Sequence, residues 1–493
     1  MRLRPLALGA ALLALAGCES RAGGSAPPPT VVSIVQDDAE LLHRAPERIA
    51  ATLDDLRDSG VDWVRVTAGW SVIAQRPASR EKPAFDARDP AAYPPGAWAA
   101  LDRVARLTEG RGMRLAIDVA FWAPRWAVER PGVRADHERD GVRPSDLADF
   151  AEAVARRYGQ AAAFTVWNEP NHNAFLLPQW ELAGGAWRPA SPHLYRAMLQ
   201  AVVPRLKAAA PDALVLIGAT SSVGTAQATG PDDRMSPLTF LRELACVDEQ
   251  LAPLPRPECA SFTALPGDGW SHHPYGLELA PWVSDPRPET VRIGDLPRLT
   301  TLLERLHAAG RLGKPLPLYL TEFGYQTNPP DPTWEVTAEE QARWLPEAER
   351  IARAQPTVRG TAQFLVRDLP ERPGADLRTR WRDYQSGLRF EDGRAKPAHG
   401  AYARGLVALR AGPGRVDFWG LVRPGRGVRP ARIAVQEPDG AWRPLVDLKT
   451  AADGTLEASV EVDPERSFRL ESGGRAGEPV RGARSEAVLT PAG

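Results

Sequence analysis

The feature that most constrains this chain is a regular alternation of strand-like and helix-like runs across residues 30–411. Eight short runs with strand-like patterns are each followed by a run with helical periodicity. Parallel βαβ units joined by right-handed crossovers form either a doubly wound sheet or a closed barrel, and eight units favour the barrel. Because no Gly-rich fingerprint follows the first strand, a dinucleotide-binding fold is disfavoured. The sequence therefore predicts an α/β fold, a (β/α)8 TIM barrel.

The elements of this predicted barrel are bounded by recognisable stop residues, such as Gly60 after the first helix and Gly159 after the third. The predicted strands are residues 31–35, 61–66, 114–120, 163–167, 213–218, an irregular run ending near His272, 316–321 and 361–366. The predicted helices are residues 46–59, 98–110, 145–158, 194–210, 237–245, 296–309, 338–353 and 396–410.

A change of pattern after Gly412 indicates a second domain. Short alternating runs separated by Pro, Gly and Asp cover residues 412–472, which predicts a small antiparallel β-sandwich. Trp419 and Trp442 in this domain would either bind polysaccharide or belong to a domain that packs on the barrel, and packing is the favoured interpretation. The Gly- and Arg-rich tail, residues 473–493, is predicted to be disordered.

The N-terminus has the pattern of a secretory signal, with two arginines before an apolar run over residues 6–15. The Leu-Ala-Gly-Cys sequence that ends at Cys18 resembles a bacterial lipobox, which implies lipidation of Cys18. We therefore expect a lipoprotein signal peptide at residues 1–18, a flexible tether at 19–29, and an exported protein anchored to a membrane of the cell envelope. A plain signal peptide with a Cys near its cleavage site is the alternative.

Two further cysteines, Cys246 and Cys259, are separated by a short Pro-rich loop. Export would place them in an oxidising compartment, where a disulfide bond is favoured over two unpaired buried thiols. Because their spacing has no partner pair, a structural zinc site is disfavoured.

The charge balance argues against nucleic-acid binding. The 61 Lys and Arg nearly match the 62 Asp and Glu, and the net charge of -1 lacks the basic excess that phosphate-binding proteins carry. The 15 Trp are a high number for this length. In a secreted protein some of them would form stacking surfaces for sugar rings, while most would belong to the core.

Two glutamates follow predicted strands, Glu169 after the fourth and Glu322 after the seventh. The carboxyl ends of TIM-barrel strands face the active-site mouth, so both carboxylates are expected to meet there. Glycoside hydrolysis needs two such groups, one to protonate the leaving oxygen and one to attack the anomeric carbon or activate water. For each glutamate alone, a solvated loop carboxylate or a cap on the following helix is the alternative.

The sequences around these glutamates resemble those of glycoside hydrolase clan A. Glu169 lies in Thr-Val-Trp-Asn-Glu-Pro-Asn and Glu322 lies in Leu-Tyr-Leu-Thr-Glu-Phe-Gly. The resemblance covers residues 30–411 and is closest to the cellulase-like family five, with family thirty-nine as another candidate. It implies a retaining enzyme in which Glu169 is the general acid/base and Glu322 the nucleophile, with carboxylates about 5–5.5 Å apart.

The resemblance also implies supporting residues at the mouth. Arg65, at the end of the second strand, would donate to the nucleophile, although pairing with a structural carboxylate is the alternative. Asn168 would hydrogen-bond the sugar 2-hydroxyl. Tyr275 would bond the nucleophile, and His273 would line the sugar-binding subsite. The neighbouring His272 is a structural alternative that the sequence does not separate from His273.

Aromatic residues after the second, third and eighth strands are candidate sugar-stacking surfaces, with packing within the loops as the alternative. They are Trp70, Trp122, Trp126 and Trp381. The resemblance is weakest at the eighth strand, where clan members usually present a Trp and this chain has Phe364. We expect Trp381, on the long loop that follows, to fold back and fill that place.

The predicted function is hydrolysis of β-linked glycosides of a poly- or oligosaccharide by double displacement, with no metal and no organic cofactor. The alternatives are a transglycosylase that uses the same two glutamates and a non-catalytic carbohydrate-binding lipoprotein of the cell surface. The expected partners are a carbohydrate substrate and the membrane that holds the lipid anchor, and not nucleic acid.

Overall fold

The computed structural model describes residues 31–482 and contains a closed barrel of eight parallel strands. The strands are β1 Val32–Gln36, β2 Trp63–Gly69, β3 Arg114–Ala120, β4 Ala163–Val166, β5 Leu214–Ser221, β6 Gly269–His273, β7 Leu318–Leu320 and β8 Val358–Phe364. They follow one another around the barrel in chain order, and β1 pairs with both β2 and β8. The predicted fold class is confirmed, and the sixth strand, which the sequence left irregular, ends at His273.

One helix follows each strand and packs outside the barrel. The helices are α1 Pro46–Asp58, α2 Ala99–Glu109, α3 Pro144–Arg157, α4 Ser191–Ala209, α5 Pro237–Leu244, α6 Leu296–Ala308, α7 Ala338–Arg353 and α8 Pro397–Ala403. Several begin with proline, whose missing N–H would have no partner in the first helical turn. Helix α7 begins with a capping box between Thr337 and Glu340. Short helical segments at Asp38–Leu42, Trp70–Ile73 and Leu377–Arg380 lie in the loops at the carboxyl ends of the strands.

The barrel interior changes from apolar to polar toward the mouth. Near the amino ends of the strands, the rings of Trp63 and Tyr319 stack with their centroids 5.9 Å apart. Side chains alternate faces along a strand, so Arg65 points inward two residues beyond Trp63. By the same alternation Asp118 and Thr165 point inward on β3 and β4, and both are buried. The sequence of these strands thus builds an apolar floor beneath a polar upper layer.

The C-terminal region forms two antiparallel sheets. Its main strands are β9 Arg404–Gly412, β10 Arg415–Val422, β11 Pro430–Gln436, β12 Trp442–Lys449, β13 Thr455–Glu461 and β14 Ser467–Ser472. One sheet has the order β9-β10-β13, and the other has β12-β11-β14 extended by Arg475–Ala476 and Val480–Arg481. Apolar side chains lie between them, including Phe418 and Phe468 with ring centroids 5.0 Å apart. This arrangement is consistent with the predicted β-sandwich.

Two predicted boundaries in this region were wrong. The last barrel helix ends at Ala403 and not at residue 410, because residues 404–410 pair with β10 as a strand. The β-domain therefore begins eight residues before the predicted boundary at 412. Residues 475–476 and 480–481 pair with β14, so this part of the tail is ordered, whereas residues 483–493 lie outside the described residues.

The β-domain packs on the barrel through α7, which contacts β9 and β10. Arg423 pairs with Glu349 of α7 at 3.2 Å, and Trp419 is 8% exposed. The guanidinium of Arg469 lies over the ring of Trp442, 4.3 Å from its centroid. Trp419 is therefore a packing residue, whereas Trp442 is half-buried with one face covered by Arg469.

The predicted disulfide between Cys246 and Cys259 is present, with a Cα–Cα distance of 5.6 Å. Among residues 31–482, no helix is long and apolar enough to span a membrane. The predicted signal peptide, the lipidated Cys18 and the tether lie outside the described residues.

Candidate active site

The carboxyl ends of the barrel strands bring Glu169 and Glu322 together. Glu169 follows β4 by three residues, and Glu322 follows β7 by two. The two residues are 9% and 8% exposed. One carboxylate oxygen of each lies within 4.8 Å of the other and of a ring nitrogen of His273. Two acids from distant parts of the chain therefore face one small space at the mouth.

Two donors hold the Glu322 carboxylate. Arg65 donates from Nη1 to Oε1 at 2.9 Å, and the Tyr275 hydroxyl donates to Oε2 at 3.0 Å. Arg65 is itself 1% exposed, and its Nη2 lies 3.2 Å from Asp118 Oδ2 and 3.4 Å from Thr165 Oγ1. Because the guanidinium is fixed by buried groups below it, the orientation of Glu322 is fixed as well.

His273 lies between Glu169 and the barrel wall. Its Nδ1 is 3.0 Å from Glu169 Oε1, and its Nε2 is 3.1 Å from Thr321 Oγ1. A neutral ring that donates from Nδ1 accepts the Thr321 hydroxyl at Nε2. His272 points to the other face of β6, where it contacts Thr220 and a backbone carbonyl. The structure thus separates the two histidines and places only His273 at the mouth.

The backbone turns sharply where β4 ends. Trp167 and Glu169 have φ angles of 65° and 38°, and the Glu169 N–H donates to the Ala219 carbonyl at 2.8 Å. Left-handed backbone at non-glycine residues is strained and is concentrated at functional sites. Asn168 lies between them, 4% exposed, and its Oδ1 has no hydrogen-bond partner among the described residues. Its amide is therefore available to a ligand.

The acids around the mouth differ in how readily they hold a proton. Burial raises the pKa of Glu169, but the hydrogen bond and charge of His273 outweigh it, and the pKa lies below the usual value. Burial raises the pKa of Asp118 to about 6, against the opposing charge of Arg65. Burial also raises the pKa of Asp38, although its Oδ1 accepts a backbone N–H at 3.0 Å. Acids beneath the mouth therefore hold protons more readily than Glu169 does.

Sequence reasoning missed the polar residues beneath Glu322. Gln36 at the end of β1 accepts a hydrogen bond from Arg65, and the charges of Arg65 and Glu322 both act on Asp38. Asp118 lies inside β3 and is 0% exposed. The sequence did contain a signal for this layer, because Asp118 lies within an otherwise apolar buried strand. Burying an acid without a partner is costly, so such a residue indicates a polar partner in the barrel interior.

Tyr384 is a further residue that sequence reasoning missed. It lies on the loop after β8, edge-on to the ring of Phe364 with centroids 5.2 Å apart. Desolvation raises the pKa of the Tyr384 phenol, and the charges of Glu169 and Glu322 raise it further. Phe364 also lies edge-on to Tyr275, at 6.3 Å. Phe364 and Tyr384 thus stand at the end of β8, where Trp381 was expected.

The predicted role of Trp381 is not supported by its position. Trp381 directly follows the short helix Leu377–Arg380 and has no described contact with either glutamate. Trp70 is wrong as a sugar-stacking candidate, because it is 0% exposed. Its ring packs against Trp126 and Phe150, with centroids 5.9 and 5.6 Å away. Both Trp70 and Trp126 therefore belong to the core outside the strands.

Trp122 remains near the mouth, on the loop after β3. It is half-buried, its Nε1 donates to the Ala174 carbonyl at 3.0 Å, and its ring centroid lies 3.9 Å from that of His137. Ala174 belongs to the loop that follows Glu169, so Trp122 lies on the Glu169 side of the mouth.

Among the described residues, the group at the mouth whose donor atoms lie close enough to share a cation consists of Glu169, His273 and Glu322. The positively charged guanidinium of Arg65 already contacts Glu322 Oε1 at 2.9 Å, which opposes a second cation at that oxygen.

No protein-family model matches the sequence, and no curated protein matches it. A solved structure of a family 39 glycoside hydrolase from Bacteroides cellulosilyticus WH2 aligns with a TM-score of 0.50 and 15% identity, covering 88% of this chain and 80% of that one. This chain shares its fold. A GH5_18 structure from Bifidobacterium longum subsp. infantis gives a TM-score of 0.48 at 16% identity, covering 76% and 77%. A GH5_18 structure from Streptomyces cattleya in complex with GlcNAc gives 0.45 at 18%, covering 76% and 79%.

Proposed function

We propose that this protein is a retaining glycoside hydrolase that cleaves β-linked glycosides of a poly- or oligosaccharide by double displacement. The observation that carries the proposal is the pair Glu169 and Glu322, with carboxylate oxygens within 4.8 Å at the ends of two barrel strands. Retaining enzymes place their carboxyl groups about 5–5.5 Å apart, whereas inverting enzymes leave room for a water between them. The fold shared with a family 39 glycoside hydrolase supports the same conclusion.

In the first step, Glu169 donates its proton to the glycosidic oxygen while Glu322 attacks the anomeric carbon. The bond to the leaving group breaks, and a covalent glycosyl-enzyme forms at Glu322. In the second step, Glu169 removes a proton from water, which attacks the same carbon and releases Glu322. Arg65 and Tyr275 keep the attacking carboxylate oriented through their contacts at 2.9 and 3.0 Å.

Two neighbouring residues, His273 and Asn168, position the acid and bind the sugar. His273 fixes the Glu169 carboxyl through the contact at 3.0 Å, so that the proton is delivered from one position. Asn168 is adjacent to Glu169 and keeps an unpartnered amide oxygen, which suits a hydrogen bond to a sugar hydroxyl. Such a bond to the 2-hydroxyl strengthens in the transition state.

The test is covalent trapping with a panel of 2-deoxy-2-fluoro β-glycosides, followed by intact-mass measurement and peptide mapping. The fluorine slows hydrolysis of the glycosyl-enzyme, so a retaining enzyme accumulates it. We expect one sugar to add its mass to the protein and the label to map to Glu322. A label on another residue, or labelling of Glu322→Gln at the same rate, would refute the assignment.

We further propose that the chain is exported and anchored to a membrane through a lipid on Cys18. The Cys246–Cys259 disulfide supports this, because such bonds persist in oxidising compartments. Growth with radiolabelled palmitate should label the protein, and Cys18→Ser should abolish the label and release the protein from the membrane fraction. Labelled Cys18→Ser protein would refute the anchor.

A further inference from the structure

Two arginines without an acidic partner flank the loop that follows Glu169. Arg234 Nη1 lies 3.4 Å from His172 Nε2, and Arg139 donates from Nε to the Asn173 carbonyl at 2.8 Å. Neither guanidinium forms an ion pair with a carboxylate within residues 31–482. Among the described residues, this rim of the mouth therefore carries two guanidinium groups that no carboxylate pairs with.

A cavity of about 380 Å³ opens beside Arg234. The acid in its lining, Asp233, accepts the Thr229 N–H at 2.7 Å and the Thr229 hydroxyl at 2.9 Å through Oδ2. The second cation in the lining, Arg287, pairs with Asp285 at 2.8 Å. Of the two cations in the described lining, Arg234 is thus the one without an ion pair. The remaining polar side chains are Thr225 and Gln227.

The cavity belongs to the same mouth as the two glutamates. Arg234 Nη1 lies 3.4 Å from His172 Nε2, and the His172 N–H donates to the Glu169 carbonyl at 2.8 Å. A general acid donates its proton to the departing oxygen, so the groups around the loop that follows Glu169 face the leaving group. Sugar units beyond the cleaved bond would therefore reach Arg234.

We propose that the leaving-group part of the substrate contains an anionic sugar, whose carboxylate or sulfate accepts hydrogen bonds from Arg234 in this cavity. The inference rests on the proposed hydrolase function and names its substrate class, β-linked glycans with hexuronate or sulfated units. The planar guanidinium presents a fork of N–H donors that matches such an anion, and the side-chain amide of Gln227 matches a sugar hydroxyl.

The experiment measures binding of oligosaccharide pairs by calorimetry to the full chain carrying Glu322→Gln, in which no covalent intermediate can form. One set of pairs compares β-linked hexuronate oligosaccharides with their carboxyl-reduced partners. A second set compares sulfated oligosaccharides with their desulfated partners, so the two sources of negative charge are distinguished. Arg234→Gln is then added to the same chain. Arg443→Gln, an exposed arginine of β12, is the matched control.

We expect the anionic member of at least one pair to bind roughly tenfold more tightly than its neutral partner, as one charge-assisted hydrogen bond provides. Arg234→Gln should remove this preference, Arg234→Lys should restore part of it, and Arg443→Gln should leave it unchanged. Equal binding within every pair, or a preference that survives Arg234→Gln, would overturn the inference.

The trapping experiment separates this inference from the proposed function, because a 2-fluoro sugar with fluoride as leaving group does not reach Arg234. Labelling of Glu322 without any anionic preference would overturn the inference and leave the hydrolase intact. If no sugar labels Glu322 but anionic glycans still bind in a manner that depends on Arg234, the proposed hydrolase function is refuted. The assignment of Arg234 to the leaving group is then refuted as well.

Discussion

The two sides of the barrel mouth hold their glutamates in different ways. Glu322 receives hydrogen bonds from Arg65 and Tyr275, and Arg65 rests on a buried polar layer. Glu169 contacts a single ionisable side chain, His273, and its backbone is in the strained left-handed region. One side is therefore fixed by several buried groups, while the other depends on one histidine and a turn.

This difference matches the different duties of the two acids in the double displacement proposed above. A nucleophile must be deprotonated before it attacks, and the donors around Glu322 favour that ionised form. An acid/base group must gain and lose a proton in each cycle, and a titratable partner such as His273 responds to that change. The comparison is tested by variants that remove one support at a time.

The largest effect should come from the two glutamates themselves. Glu322→Gln should lower kcat by at least about 10⁴-fold on every substrate, because no covalent intermediate can form. Glu169→Gln should cost about 10²–10⁴-fold on an unactivated glycoside, and far less on a dinitrophenyl glycoside whose leaving group needs no proton. Steady-state kinetics on both substrates measure the contrast.

Azide provides the control for that contrast. It should restore activity to Glu169→Ala and Glu322→Ala, in which the shortened side chain leaves room for azide in place of the carboxylate. The azide product should keep the β configuration in Glu169→Ala and invert to α in Glu322→Ala. Products of the opposite configuration would exchange the two roles.

The second effect concerns the buried support of Glu322. Arg65→Met should destabilise the protein by about 3–5 kcal/mol, because it leaves buried carboxylates without their cation. Arg426→Met removes an arginine that pairs with Asp62 at 2.6 Å but is largely exposed, and it should cost less than about 1 kcal/mol. Urea unfolding of both variants gives the comparison, and equal losses would show that Arg65 is not a support.

The third effect is a shift in the pH dependence of kcat/KM. Since His273 lowers the pKa of Glu169, and Glu169 must be protonated to act as the acid, His273→Gln should raise that pKa. The alkaline limb of kcat/KM, which reports the free enzyme, should therefore move to higher pH. His399→Gln, which removes a contact with Arg389 on the outside of the barrel, should leave the limb in place. Movement to lower pH would contradict the assignment.

The sequence predicted the features that depend on local pattern. Strand-helix alternation gave the barrel, and the positions of Glu169 and Glu322 after two strands gave the acid pair. Each depends on residues within a few positions of one another, which a single sequence displays. The contact of Arg65 with Glu322 was implied by the resemblance to clan A and not by local pattern, because Arg65 lies within β2 and 257 residues before Glu322.

The features that the sequence did not predict depend on distant residues. Trp70 follows a strand as a mouth residue would, but a short helix turns it into the core against Phe150. Residues 404–410 have helical character after α8, yet pairing with β10 makes them a strand. Tyr384 reaches the mouth from a long loop, and loop paths are not set by local periodicity.

The smallest effect on kcat is expected from removing the hydroxyl of one of two tyrosines at the mouth, Tyr275 or Tyr384. The Tyr275 hydroxyl donates to Glu322 at 3.0 Å, whereas the Tyr384 hydroxyl makes no hydrogen bond to a described residue and Tyr384 is 44% exposed. Tyr275→Phe should lower kcat by roughly 10-fold, the loss of one hydrogen bond to a charged group. Tyr384→Phe should change kcat by less than about 2-fold, because an exposed hydroxyl is replaced at little cost.

Tyr384→Ala then sharpens the comparison, because it removes the ring as well as the hydroxyl. If the ring at the end of β8 forms part of the sugar-binding surface, KM should rise roughly 10-fold with kcat little changed, as expected for loss of stacking. A fall in kcat with constant KM would instead place Tyr384 among the groups that act on Glu322. In that case the Glu322 side would include a contact from the loop after β8, and the two sides of the mouth would differ less than the buried contacts indicate.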